Sequence, residues 1–230
     1  MQLLITSWSV VPLVLATVLS LLRFHHLSRT MRYLAMLLWW MMATEVVSRV
    51  LWYHHAPNLF LRPIYNTGEC VLLVLLYSQA LKVQKTRVLL YTLGGVLCLY
   101  SLFDSLTFGK GISFRPIQEA GRMLLILLLV SLYFKKLLDE LRVLRLELDP
   151  MFVTSVGLLI YALGTSLILL FSDYMLHHAS KRFNTTIWTI HALLLAFLAS
   201  CYGLAIFLDN RYGNTYEAIV RGKRIPAIKS

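Results

Sequence analysis

The chain consists of long apolar runs separated by short polar breaks. Seven such runs occupy residues 3–22, 33–53, 64–81, 88–107, 116–134, 151–172 and 186–208. Each is close to the ~20 residues that an α-helix needs to cross a hydrocarbon layer. The pattern predicts an all-α polytopic membrane protein, with a bundle of seven transmembrane helices over residues 1–208 and a basic tail at 209–230. Short breaks favour sequential neighbours in one bundle.

Residues 135–149, KKLLDELRVLRLELD, depart from this pattern. Leu137, Leu138, Leu141, Leu144 and Leu148 recur with a helical period and charges fill most of the rest. A cytoplasmic helical extension of the fifth span is expected here, ending where Pro150 restarts the chain, since Pro is tolerated at a helix start. A solvated face is the simpler reading of it, and a docking or dimer surface the functional one. In the seventh span Ala192, Ala196 and Ser200 are spaced by four, as are Ala199 and Gly203. Small residues at this spacing let helices approach closely, and packing within the bundle is the expected use.

Composition agrees. Of the residues, 58% are hydrophobic and 14% charged, and mean hydropathy is +0.69, against about 45–50% and about 25% for a soluble domain. A disordered chain, a collagen and an ordinary soluble enzyme are excluded. Cys70, Cys98 and Cys201 each lie in an apolar run without a metal-ligand spacing, as small packing residues do.

Charge gives an orientation. Lys and Arg number 22 against 11 acids, for a net charge of +11. In a polytopic protein such an excess marks cytoplasmic loops rather than a nucleic-acid surface, and no nucleic-acid partner is expected. Fifteen of the 22 fall in the first, third and fifth breaks and the tail, and five, Arg62 among them, fall in the others. By the positive-inside rule the N-terminus is outside and the C-terminus cytoplasmic. Trp8, Trp52, Tyr53 and Trp188 then sit near the outer interface. The first run starts at Leu3 without a preceding basic residue or a small-residue cleavage site, so it is expected as a retained span and not a secretory signal. The tail suits a surface of anionic membrane lipid.

The remaining charges lie inside the spans, where an ionisable group is by default a functional hypothesis. They are Glu45 and Arg49 in the second span, Glu69 in the third, Glu119 and Arg122 in the fifth and His191 in the seventh. With a rise of about 1.5 Å per residue, all fall in the outer half of the layer, between about 4 and about 12 Å deep. Glu45–Arg49 (i,i+4), Glu119–Arg122 (i,i+3) and Asn66–Glu69 (i,i+3) each share a helix face. Self-paired structural ions are one reading, and a polar cavity open to the outside is the other. Three glutamates against two arginines leave one carboxylate unmatched. It is protonated, or paired with His191 as imidazolium, or awaits a cationic or amine ligand. Glu45, Arg49, Asn66, Glu69, Glu119, Arg122 and His191 are the candidate ligand-binding residues. No cofactor, metal or catalytic residue is expected. A zinc site around Asp173 and His177 is a weak alternative, and Asn184-Thr185-Thr186 matches a glycosylation sequon.

The seventh span has no lysine, which excludes a retinal protein, and a G-protein-coupled receptor's signature is absent from its proper place. Arg62-Pro-Ile-Tyr-Asn66, Leu148-Asp-Pro-Met-Phe152 and Gly157-Leu-Leu-Ile-Tyr161 carry a closer likeness. In them the chain resembles an uncharacterised family of bacterial seven-helix membrane proteins that look like sensing modules encoded beside separate histidine kinases. That resemblance implies a bacterial inner (plasma) membrane and a cytoplasmic histidine kinase as partner. The function expected is a receptor-like module that binds a small ligand, with a cation as one candidate, in an outward polar pocket. A small-solute transporter or channel is the alternative, and a structural subunit beside another membrane protein a further one.

Overall fold

The computed structural model describes residues 10–56, 61–81, 84–107, 116–140, 146–170 and 181–220. These form seven α-helices and no strand. They are α1 (Val11–Arg23), α2 (Arg29–Tyr53), α3 (Leu61–Leu81), α4 (Gln84–Thr107), α5 (Pro116–Glu140), α6 (Pro150–Leu170) and α7 (Lys181–Val220). Among the described residues, three helical stretches are long and apolar enough to cross a membrane: Arg29–Tyr53, Pro150–Leu170 and, within α7, Thr185–Asp209.

Consecutive helices lie side by side and α7 returns to pack on α1, closing a ring. Chords cross it, α3 against α5 and α2 against α7, while α4 packs on the outside of the α3–α5 pair. Apolar side chains fill the interior, with Leu34, Leu38, Leu73, Tyr77, Ile126, Leu129 and Tyr202 fully buried. The outside is also apolar, carrying exposed Leu22, Leu99, Leu124 and Leu167. Water would penalise that surface, whereas lipid tails do not distinguish it from the core.

Small residues set the closest approaches. A Cβ on Gly157 of α6 would meet the Cys201 side chain of α7 at 2.7 Å, and one on Gly203 would meet the Cβ of Ala16 in α1 at 3.2 Å. Of the two small-residue rows in the seventh span, Ala199–Gly203 therefore faces the bundle, whereas Ser200 is exposed and donates to its own Ala196 carbonyl at 2.8 Å.

One end of the bundle is fixed by polar contacts. Asp149 Oδ1 accepts from the Met151 backbone N–H at 2.9 Å, capping α6, and Asp149 Oδ2 accepts from Tyr133 of α5 at 2.6 Å. The Tyr77 and Ser155 hydroxyls meet at 2.8 Å. Lys136 Nζ donates to the Ala80 carbonyl at 2.6 Å and Arg87 Nε to that of Ser78 at 2.8 Å, satisfying carbonyls that the end of α3 leaves open.

Two expectations change here. A straight helix over 135–149 would carry residue 149 about 21 Å past the start of the segment. Instead α5 is helical to Glu140, Leu146–Leu148 is a 3-10 turn, and Asp149 lies back beside Tyr133. The bond to Tyr133 and the cap on α6 are available only if the chain turns back; residues 141–145 lie outside the described ones. At the other boundary, α7 runs on through 209 to Val220, past the end of the apolar run at 208. Asp209 Oδ2 accepts from the Ser28 backbone N–H at 2.8 Å, and Arg23 donates to the Phe207 carbonyl at 3.3 Å, joining this part of α7 to the turn between α1 and α2.

Candidate functional site

The first three turns of α3 place Arg62, Asn66 and Glu69 at i, i+4 and i+7 on one face. That face meets α5, where Glu119 and Arg122 are one turn apart. The five side chains form one chain of ion pairs and hydrogen bonds. Glu119 Oε1 accepts from Arg62 Nε at 2.7 Å and from Asn66 Nδ2 at 2.9 Å. Its other oxygen accepts from Arg122 Nη2 at 3.0 Å and Nε at 3.2 Å. Arg122 Nη1 completes the series by donating to Glu69 Oε2. Exposure falls inward along it: 41% for the Arg62 side chain, 6% for that of Glu119, 5% for Arg122 and 0% for Glu69.

Such a network satisfies its charges within the protein, as buried ions must be. Glu69 Oε1 is the exception, having no hydrogen-bond partner among the described residues.

The network forms one wall of a cavity of about 460 Å³. Arg62, Tyr65, Asn66, Glu119 and Arg122 face it from α3 and α5. Thr44, Glu45 and Ser48 border it from α2, and Tyr161, Thr165, Trp188 and His191 from α6 and α7. Leu13, Met41, Leu61 and Leu195 supply apolar surface. The ring centroids of Tyr161 and Trp188 each lie 6.0 Å from that of His191, and the Arg122 guanidinium stands 6.0 Å from the Tyr161 ring centre. Thr165 Oγ1 and His191 Nδ1 are buried and have no hydrogen-bond partner among the described residues.

Of the seven candidate residues, Glu45, Asn66, Glu119, Arg122 and His191 border this one cavity. Glu69 sits behind Arg122. Arg49 is outside it, 49% exposed, and pairs with Glu45 through Nε at 2.7 Å. Among the described residues Glu45, Glu69 and Glu119 each have an arginine partner, so the expected unmatched carboxylate is not found there. Arg62 supplies the third cation, because α3 begins at Leu61 and brings Arg62 into its first turn rather than leaving it in a loop. A glutamate–His191 ion pair is likewise not formed among the described residues.

Arg62 was the residue that the hydropathy pattern hid. A run begun at residue 64 cuts it off, although Pro63 is compatible with a helix start and the 62–66–69 spacing marks one face. Tyr161 and Thr165, four apart on α6, are uncharged and carried no warning. Among the described residues no group of three His, Cys, Asp or Glu could hold a metal ion. Asp173, His177 and the Asn184 side chain lie outside the described residues, as does the side chain of Asp104.

A second cavity of about 20 Å³, room for about one water, lies between α3, α4 and α5, bordered by Thr67, Cys70, Cys98, Ser101 and Gln118. Ser101 accepts from Thr67 at 3.1 Å and from Gln118, tying α4 to the network helices. No protein family, curated protein or solved structure matches the chain.

Proposed function

We propose that the protein is an integral membrane protein of seven spans, N-terminus outside and C-terminus cytoplasmic, that binds a small molecule in the cavity between α2, α3, α5, α6 and α7. In this reading it acts as a receptor-like module of a bacterial inner membrane and passes the binding event to a separate cytoplasmic partner, such as a histidine kinase. The observation that carries it is the cavity itself. Its volume of about 460 Å³ falls within the usual range for small-molecule sites, about 300–1,000 Å³. It combines aromatic and aliphatic surface with a few convergent polar groups, as such sites do.

Sensing is favoured over transport by what lies on the other side of the network. Leu73, Leu76, Tyr77, Leu129 and Tyr202 are packed there with no exposed surface, so a solute would have to open a dense core. Binding that favours one arrangement of the ring over another would shift the population between them. The contacts of Arg23 and Ser28 with α7, at Phe207 and Asp209, give such a shift a path to the chain's basic end.

The test is a thermal-shift screen of the detergent-purified protein against small metabolites, with His191→Phe alongside, followed by flux measurements in liposomes. A compound that raises Tm in the wild type, loses its effect in the variant and is not carried across the bilayer supports the reading. Flux through the chain alone would replace sensing by transport. A screen in which no compound shifts the wild type overturns the cavity as a binding site.

A further inference from the structure

The contacts between α3 and α4 fix an antiparallel register. Thr67 donates to Ser101 Oγ at 3.1 Å, and the Ser78 and Tyr91 hydroxyls meet at 3.0 Å. Between these contacts, a Cβ on Gly94 would lie 3.6 Å from the Cβ of Val74. Cys70 stands three residues after Thr67 and four before Val74, and Cys98 three before Ser101 and four after Gly94. Positions three and four apart share a helix face. The two cysteines therefore occupy the same level of this interface, one from each helix, between the Thr67–Ser101 and Val74–Gly94 contacts. Both border the cavity of about 20 Å³ between α3, α4 and α5. The 3.6 Å spacing beside them matches that of the Cβ atoms in a disulfide, about 3.5–4.5 Å.

The two thiols differ in access. Cys98 is half-buried and Cys70 buried. Beside Cys98 the outer surface of α4 is apolar, with Val96 and Leu99 exposed, so an apolar reagent can approach. A disulfide leaves no charge behind, whereas a metal ion held by the pair would need two thiolates in these apolar surroundings.

We infer that Cys70 and Cys98 are a site of reversible oxidation, closed into an α3–α4 disulfide by an apolar hydroperoxide. The site is independent of the ligand reading of the larger cavity. The Cys98 sulfur attacks the terminal peroxide oxygen: the S–O bond forms, the O–O bond breaks, and the thiol proton leaves on the alcohol. Cys70 then attacks the sulfenic acid: the S–S bond forms, the S–O bond breaks, and its proton leaves with the oxygen as water. Two thiols and one hydroperoxide give a disulfide, an alcohol and water. A dithiol reverses the step by exchange. The bridge ties α4, which packs on the outside of the α3–α5 pair, to the helix that carries Asn66 and Glu69.

The test adds one equivalent of cumene hydroperoxide to the full chain in detergent micelles. The chain is then unfolded in SDS, capped with N-ethylmaleimide and weighed by intact-mass spectrometry. Wild type should lose two of its three thiols together, at least about tenfold faster than the third, because the second step is intramolecular. A non-reducing digest should link the peptides of Cys70 and Cys98, and dithiothreitol should restore all three caps. Cys201, half-buried and packed on Gly157 of α6, is the internal reference, and Cys201→Ser should form the bridge at the wild-type rate. Unfolding in SDS before the hydroperoxide is added should abolish the preference, which ties it to the fold. The inference is overturned if all three thiols are still capped, if Cys201 or a second chain supplies the partner, or if the preference survives prior unfolding.

Discussion

Arg122 of α5 donates to Glu69 of α3 where both side chains are almost wholly removed from solvent. Neither could be buried there alone, because an isolated ion in such surroundings costs far more than a single contact returns. Arg122 also holds Glu119 Oε2 with two of its nitrogens. Arg122→Met therefore strands two carboxylates, and Glu69→Gln leaves a neutral amide beside a guanidinium still paired with Glu119. Arg122→Met should cost on the order of 3–5 kcal/mol, and Glu69→Gln about 1–3 kcal/mol. Unfolding of the two variants in one detergent gives the ordering. Equal losses would show that Glu119 does not depend on Arg122.

At the rim the same chemistry is worth less. Arg62 is 41% exposed and Arg49 49% exposed, so solvent screens each pair. Arg62→Gln and Arg49→Gln should each change stability by about 1 kcal/mol or less, and salt should reduce the difference. Melting curves at low and high ionic strength check this. A large, salt-independent loss in Arg62→Gln would place that pair in a much drier setting than its exposure implies.

The gradient from rim to core also explains what was legible in the sequence. Apolar runs marked the seven helices, because outward-facing and core-facing positions are both apolar and leave long uninterrupted stretches. Charges within the runs marked Glu45, Arg49, Glu69, Glu119, Arg122 and His191 by their cost alone, and Asn66 followed from its i,i+3 spacing to Glu69. Partners across the bundle were not legible. The Arg62–Glu119 pair joins positions 57 apart, and neither helical periodicity nor charge counting reports which residue of α3 faces which residue of α5. Tyr161 and Thr165 escaped because both are uncharged, and a reading of charges inside the apolar runs does not register a hydroxyl. The turn at Asp149 escaped because 135–149 has helical periodicity throughout, while a tertiary bond from Tyr133 sets where the chain turns back.

Trp40 and Gly68 seat α2 on α3. The Trp40 indole donates to the Tyr65 carbonyl at 3.2 Å, and a Cβ on Gly68 would lie 2.2 Å from the ring. Gly68→Ala must displace the indole, at a cost of about 1–3 kcal/mol. Gly95 on α4 is the control, since a Cβ there meets nothing within 4 Å, and Gly95→Ala should be neutral or stabilising by up to about 1 kcal/mol through helix propensity. Melting temperatures give both signs, and tryptophan emission should shift in Gly68→Ala alone.

Asp149 holds both the cap on α6 and the bond from Tyr133. Asp149→Ala removes both the α6 cap and the bond to Tyr133, so about 1–2 kcal/mol for the cap adds to about 1 kcal/mol for the hydrogen bond. Tyr133→Phe should cost only the latter. In the Asp149→Ala background the bond from Tyr133 to Asp149 is already gone, and the double variant should melt close to Asp149→Ala. Strict additivity of the two losses would mean that the tyrosine stabilises the end of α5 by packing against Tyr77 and Phe134, its ring neighbours at centroid distances of 6.2 Å each. The hydroxyl would then be incidental, and the turn would be held by the cap on α6 alone.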